Sequence, residues 1–133
     1  MTTTTQSEAA VFRDAIAVLR DAHKLLERGW CQGSMARDGS GTVVASHDKQ
    51  ACSWCASGAL RTAASAATAI GDRFERTDAL DKARWLLRRE TGAVYISEWN
   101  DAPGRTQAEV LAAVDRAAAL GEQELAELEG GER

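Results

Sequence analysis

Ser53-Trp54-Cys55-Ala56-Ser57-Gly58-Ala59-Leu60-Arg61-Thr62-Ala63-Ala64-Ser65-Ala66-Ala67-Thr68-Ala69-Ile70 is the stretch on which the fold class turns. Within it Trp54, Cys55, Gly58, Ala59, Thr62, Ala63, Ala66 and Ile70 recur at the spacing of one helical face, which predicts a helix over 53–70. Most of those residues are small, so a second helix can approach closely while Trp54 fills one end. Read this way, the stretch is the central buried helix of a bundle.

The flanking chain supports the same architecture. Upstream, Phe12, Ala15, Ile16, Leu19, Ala22 and Leu26 mark a helix over 7–28, with Thr5 and Glu8 as a capping box and Gly29 as its stop. Periodicity then disappears between Gln32 and Gln50. Arg37-Asp38-Gly39-Ser40-Gly41 is turn chemistry and Thr42-Val43-Val44 suits a short strand, so an irregular loop or small hairpin is expected between the first two helices. Downstream, Leu80, Ala83, Leu86 and Leu87 predict a helix from Thr77 or Asp78 to Arg89, and the brief stretch Ala93–Trp99 is read as a short helix. Asp101-Ala102-Pro103-Gly104 forms a turn, Thr106 and Glu109 a second capping box, and the last helix runs to about Leu128 on Val110, Leu111, Val114, Ala117, Ala118, Gly121, Leu125 and Leu128. The expectation is one all-α domain over 1–133, a bundle of four to five helices, with loose ends at 1–6 and 129–133.

Composition narrows the function classes. With 16 Lys and Arg against 20 Asp and Glu, the net charge of −4 argues against general nucleic-acid binding, which rests on a surplus of cations. The start Met1-Thr2-Thr3-Thr4-Thr5-Gln6 lacks the basic and apolar regions of a signal peptide, and no apolar run is long enough to span a bilayer, so a soluble cytoplasmic protein without membrane contact is expected. An odd count of three cysteines fits free thiols in a reducing compartment.

Three phrases carry the candidate sites: Trp30-Cys31-Gln32-Gly33, Trp54-Cys55 followed by Gly58-Ala59, and Trp99-Asn100-Asp101 leading to Gly104-Arg105-Thr106. Cys31, His47, Cys52 and Cys55 have the ligand types of a closed, structural zinc site, although only one close pair of ligands is present where a zinc knuckle supplies two. The plainer reading makes Cys31 and Cys55 small packing residues beside tryptophan. Arg105, at the start of the last helix, could hold an anion there, but Pro103-Gly104 and the Thr106 cap give the polar residues of that segment local structural work. No Walker, His-Glu-x-x-His or Gly-x-Ser-x-Gly pattern occurs, and no cofactor is implied beyond the zinc alternative.

Taken together, the three phrases resemble small actinobacterial and phage proteins of the domain of unknown function 6197, over about Leu19 to Ala118. The resemblance matches Cys31 and Cys55 to recurrent family cysteines and leaves Cys52 outside the pattern. It implies no reaction. The leading expectation is a non-enzymatic protein acting through a protein partner or self-association, with Trp30, Cys31, Trp54, Cys55, Trp99, Asn100, Asp101, Arg105 and Thr106 as the binding candidates. The alternatives are the structural zinc site and a small-ligand pocket or unrecognised active site lined by Trp30, Trp54, Trp99 and Arg105.

Overall fold

A computed structural model describes residues 7–131. Helix α1 (Glu8–Arg28) leads into a three-stranded antiparallel sheet of β1 (Ala36–Asp38), β2 (Val43–Val44) and β3 (Ala51–Trp54), followed by α2 (Ala56–Ala66), α3 (Arg73–Thr91), α4 (Ile96–Asn100) and α5 (Gln107–Gly131). The fold is therefore α+β, and the all-α expectation is corrected by the sheet. Strand order is β2-β1-β3, with Ala36 opposite both Val44 and Trp54.

The correction originates in the opening stretch. Ala51 and Trp54 are buried while Cys52 is exposed, and the backbone of Trp54 pairs with Ala36 on one side and with Trp30, through an isolated parallel bridge, on the other. These long-range bonds hold 51–54 extended although Trp54 and Cys55 fit the helical period. The helix starts at Ala56, where the Cys55 Sγ accepts the Gly58 N–H at 3.3 Å as an N-cap. It ends at Ala66, so 67–70 form turns rather than a last helical turn.

Helix α1 takes the central place expected for the second helix, because it packs against α2, α3, α5 and β3. Phe12, Ala15, Val18, Leu19, Ala22 and Leu26 form its buried face. Ser7 caps it by accepting the Ala10 N–H at 3.1 Å; the Thr5 cap falls outside the described residues. Helix α3 begins four residues before Thr77, since Asp72 and Glu75 make a reciprocal capping box that fixes the start at Arg73. The Thr106–Glu109 box opens α5, whose run to Gly131 extends beyond the expected end at Leu128.

Two glycines permit the sheet and helices to meet. A Cβ on Gly29 would lie 2.1 Å from the Cys52 carbonyl oxygen, and one on Gly58 would lie 2.1 Å from that of Met35. Gly29, just before the first Trp-bearing phrase, and Gly58, inside the second, are thus each required by a backbone crossing. One continuous apolar core runs from α1 through β1, β3 and α2 to α5. Among the described residues, no helix is long and apolar enough to cross a membrane.

Candidate functional site

The three Trp-bearing phrases converge on Asn100, a fully buried side chain at the end of α4. The parallel bridge between Trp30 and Trp54 consists of Trp54 N–H to Gly29 O and Cys31 N–H to Trp54 O, both 3.1 Å. The next bond of such a ladder would run from Ala56 N–H to Cys31 O. The Asn100 carboxamide stands in that gap: its Oδ1 accepts Ala56 N–H at 3.0 Å and its Nδ2 donates to Cys31 O at 3.1 Å. A side-chain amide presents the same acceptor and donor as a peptide unit, so it continues the ladder while prising the two chains apart. The remaining lone pair and proton are satisfied by Trp30 Nε1–H at 2.8 Å and Asp101 Oδ1 at 2.9 Å.

A second set of bonds ties the same segment to the loop after Trp30. Gln32 Nε2 donates to Asn100 O at 3.0 Å and to Ala102 O at 3.1 Å, while Asp101 Oδ1 accepts Gly33 N–H at 3.0 Å. Asn100 and Asp101 therefore bond each other and serve partners from 44 to 70 residues away. Arg105 works locally: Nε donates to Trp99 O at 2.9 Å, the guanidinium lies 4.2 Å above the Trp99 ring, and Nη1 stands 3.7 Å from Glu109. Thr106 is engaged as the α5 cap. Gln32 joins the site although it is not among the residues that the sequence marks for binding; its place inside the first phrase is its one signal.

The cysteines do not gather as a tetrad. Cys55 is buried, with its Sγ 3.8 Å from Met35 Sδ, and Cys31 is half-buried, with its Sγ 3.8 Å from Ser34 O. Cys52 is exposed and turned to Gln50 O at 3.4 Å, and His47 lies exposed in the β2–β3 loop. Cys55 lies three positions after Cys52 along extended chain, so their side chains leave opposite faces. Among the described residues no group of three or more His, Cys, Asp or Glu is placed to hold a metal ion. Burial pushes the Cys55 thiol above its ordinary pKa; the nearby Cys31 and Asp101 add to this, and the Gly58 N–H opposes it.

A family model of a family of unknown function, DUF6197, matches residues 10–120, which contain all three phrases and every partner of Asn100. The chain belongs to this family. No curated protein and no solved structure matches it. The DUF6197 match thus covers the sheet, α2, α3 and α4 in full, and leaves out the last turns of α5.

The point where the DUF6197 phrases meet is filled by Asn100, and the open space lies outside it. A cleft of about 310 Å³ is lined by Glu90, Thr91, Trp99, Arg105, Glu109 and Arg116 together with Ala112, without Trp30 or Trp54. Its cations are already matched, with Arg116 Nε 2.8 Å from Glu90 and Arg105 beside Glu109. The α3–α4 connection that leads to Trp99 exposes Val94 (75 %) and Tyr95 (62 %), and Tyr95 is the N-cap residue of α4.

Proposed function

We propose that this protein is a non-enzymatic cytoplasmic binding module that acts through a protein partner, with the α3–α4 connection and the Trp99–Arg105 stack as its contact face. The observation that carries this reading is the exposure of Val94 and Tyr95 on a segment whose other end is pinned by the buried Asn100. Large apolar side chains exposed on a held backbone lose little conformational freedom on binding, and Trp, Tyr and Arg are the residue types that dominate interface energies. The polar residues of the three phrases support the same view, because their hydrogen-bonding groups are engaged in holding the chain together. The matched ion pairs along the cleft suit the polar rim of such a face.

The test is affinity capture from a lysate of the source cell with the wild-type chain and with a Val94→Ser/Tyr95→Ser variant. The reading expects a partner retained by the wild type and lost by the variant, with both chains melting alike. Equal capture by the two, or capture by neither, overturns it. Sedimentation of the purified chain distinguishes a foreign partner from a second copy.

A further inference from the structure

We propose that Cys31 and Cys55 form an oxidisable pair, which a hydroperoxide converts to a disulfide across the end of the Trp30–Trp54 bridge. The pair is independent of the contact face described above. Three observations place the two residues together. First, each directly follows a bridged tryptophan, and Cys31 N–H is itself bonded to Trp54 O at 3.1 Å. That bond holds the two backbones together up to this pair, ahead of the point where Asn100 parts them, and a disulfide accepts Cα separations of about 4.4–6.8 Å, wider than the regular strand spacing of about 4.8 Å. Second, both thiols reach one dipeptide: Cys31 Sγ contacts Ser34 O and Cys55 Sγ contacts Met35 Sδ, each at 3.8 Å. Third, Cys31 and Cys55 are close enough for the charge of one to disfavour ionisation of the other.

Their unequal exposure assigns the order of events. Cys31 is half-buried and open to a small oxidant, whereas Cys55 is 3 % exposed. The Cys31 sulfur attacks the peroxide O–O bond, giving a sulfenic acid and releasing an alcohol, or water when the oxidant is hydrogen peroxide. The Cys55 sulfur then attacks the Cys31 sulfur, the S–OH bond breaks, and the hydroxyl leaves as water with the proton of the Cys55 thiol. Two thiols lose two protons and two electrons; the peroxide takes up both. Closing this bond removes the thiol proton directed at Met35 Sδ and alters the sulfur that caps α2 at Gly58.

The experiment treats the folded, full-length chain with hydrogen peroxide, blocks remaining thiols with an alkylating agent, and maps the digest by mass spectrometry. The expected result is a Cys31–Cys55 linked peptide lighter by two hydrogen atoms, one alkylated cysteine at Cys52 where three were alkylated before, and full reversal by dithiothreitol. Cys52→Ser should leave the link intact, and Cys31→Ser and Cys55→Ser should each abolish it; serine retains an N-capping oxygen at position 55, so the latter variant keeps its fold. Further oxidation of Cys31 without a link overturns the proposal. So do links that include Cys52, or a Cys31–Cys55 link that is no more abundant in folded than in guanidine-unfolded protein.

Discussion

The α1–α3–α5 bundle and the quarter of the molecule around the sheet and α4 are held by different means. In the bundle, Val18, Leu19, Leu86, Leu87, Val110 and Val114 bury apolar surface, and many shapes of similar volume can fill such a space. Around the sheet, one carboxamide joins Trp30, Cys31, Ala56 and Asp101, and two glycines permit backbone crossings. The first region tolerates exchange of side chains at constant volume. The second depends on atoms of defined polarity at defined points, because a buried donor or acceptor left without a partner costs its full desolvation.

The strongest test of that contrast is Asn100→Leu set against Leu86→Met. Removing the carboxamide leaves Ala56 N–H, Cys31 O and Trp30 Nε1–H without their partner, for a loss of about 4 kcal/mol or more at ~1–3 kcal/mol per buried orphan. The bundle exchange should cost under about 1.5 kcal/mol. Urea unfolding of both variants measures the difference, and near-equal losses would remove the distinction between the regions.

A matched pair of glycine substitutions comes next. Gly58→Ala drives a Cβ to within 2.1 Å of the Met35 carbonyl oxygen, a backbone atom that moves only if β1 moves, so a loss of roughly 2–3 kcal/mol is expected. Gly121→Ala in α5 meets Ile16 Cγ1 at 2.9 Å and Leu86 Cδ1 at 3.1 Å, atoms of side chains rather than of backbone. The helix-propensity gain of about 1 kcal/mol there offsets part of the crowding, and thermal unfolding should show a smaller loss than for Gly58→Ala.

The same contrast explains what could be read from the sequence. The faces of α1 and α5 were legible because burial in a bundle repeats with the helical period, as Phe12, Leu19 and Leu26 or Val110, Val114 and Ala117 show. Of the sheet, the short strand at Val43–Val44 was legible but β1 and β3 were not, since they hold three and four residues, too few for alternation to outweigh a helical pattern that continues into α2. Trp54 satisfies both periods, and only its pairing with Ala36 and Trp30 decides between them. A meeting of the three phrases is implied by the pocket reading, which lines one site with Trp30, Trp54, Trp99 and Arg105. That Asn100 would be its centre is not, because a side chain acting as a peptide unit between Cys31 and Ala56 leaves no mark on local spacing. The Asp72–Glu75 box precedes the apolar face that begins at Leu80, so apolar spacing alone places the start of α3 too late.

Capping gives a smaller and more local comparison, since Thr106 stands where the Asn100 segment meets the bundle. Thr106→Ala removes the oxygen that accepts Glu109 N–H at 3.2 Å and should lower stability by about 1 kcal/mol without loosening the Trp30–Asn100 bond. An unchanged indole N–H resonance for Trp30 alongside a lower melting temperature is the expected signature. A shifted resonance would mean that the α5 start and the Asn100 cluster act as one unit.

The smallest effect belongs to the β1–β2 turn, the part of the sheet region farthest from Asn100 in its bonding. Asp38 Oδ1 accepts the Ser40 hydroxyl at 2.7 Å, Ser40 N–H at 2.9 Å and Thr42 N–H at 3.0 Å. The Ser40 hydroxyl foremost, with the Thr42 and Ser40 amides, holds this carboxyl below the usual carboxylate range. A carboxyl lowered in the folded state contributes fully above its unfolded pKa of about 4 and loses that contribution as pH falls through the lower folded value. Amide shifts of Ser40 and Thr42 should therefore titrate together in the acid range while the Trp30 indole stays fixed, and Asp38→Asn should remove the titration. If the indole moves with them, the turn is wired to the Asn100 cluster through β1, and the polar region is a single cooperative unit rather than a hub with a separable hairpin.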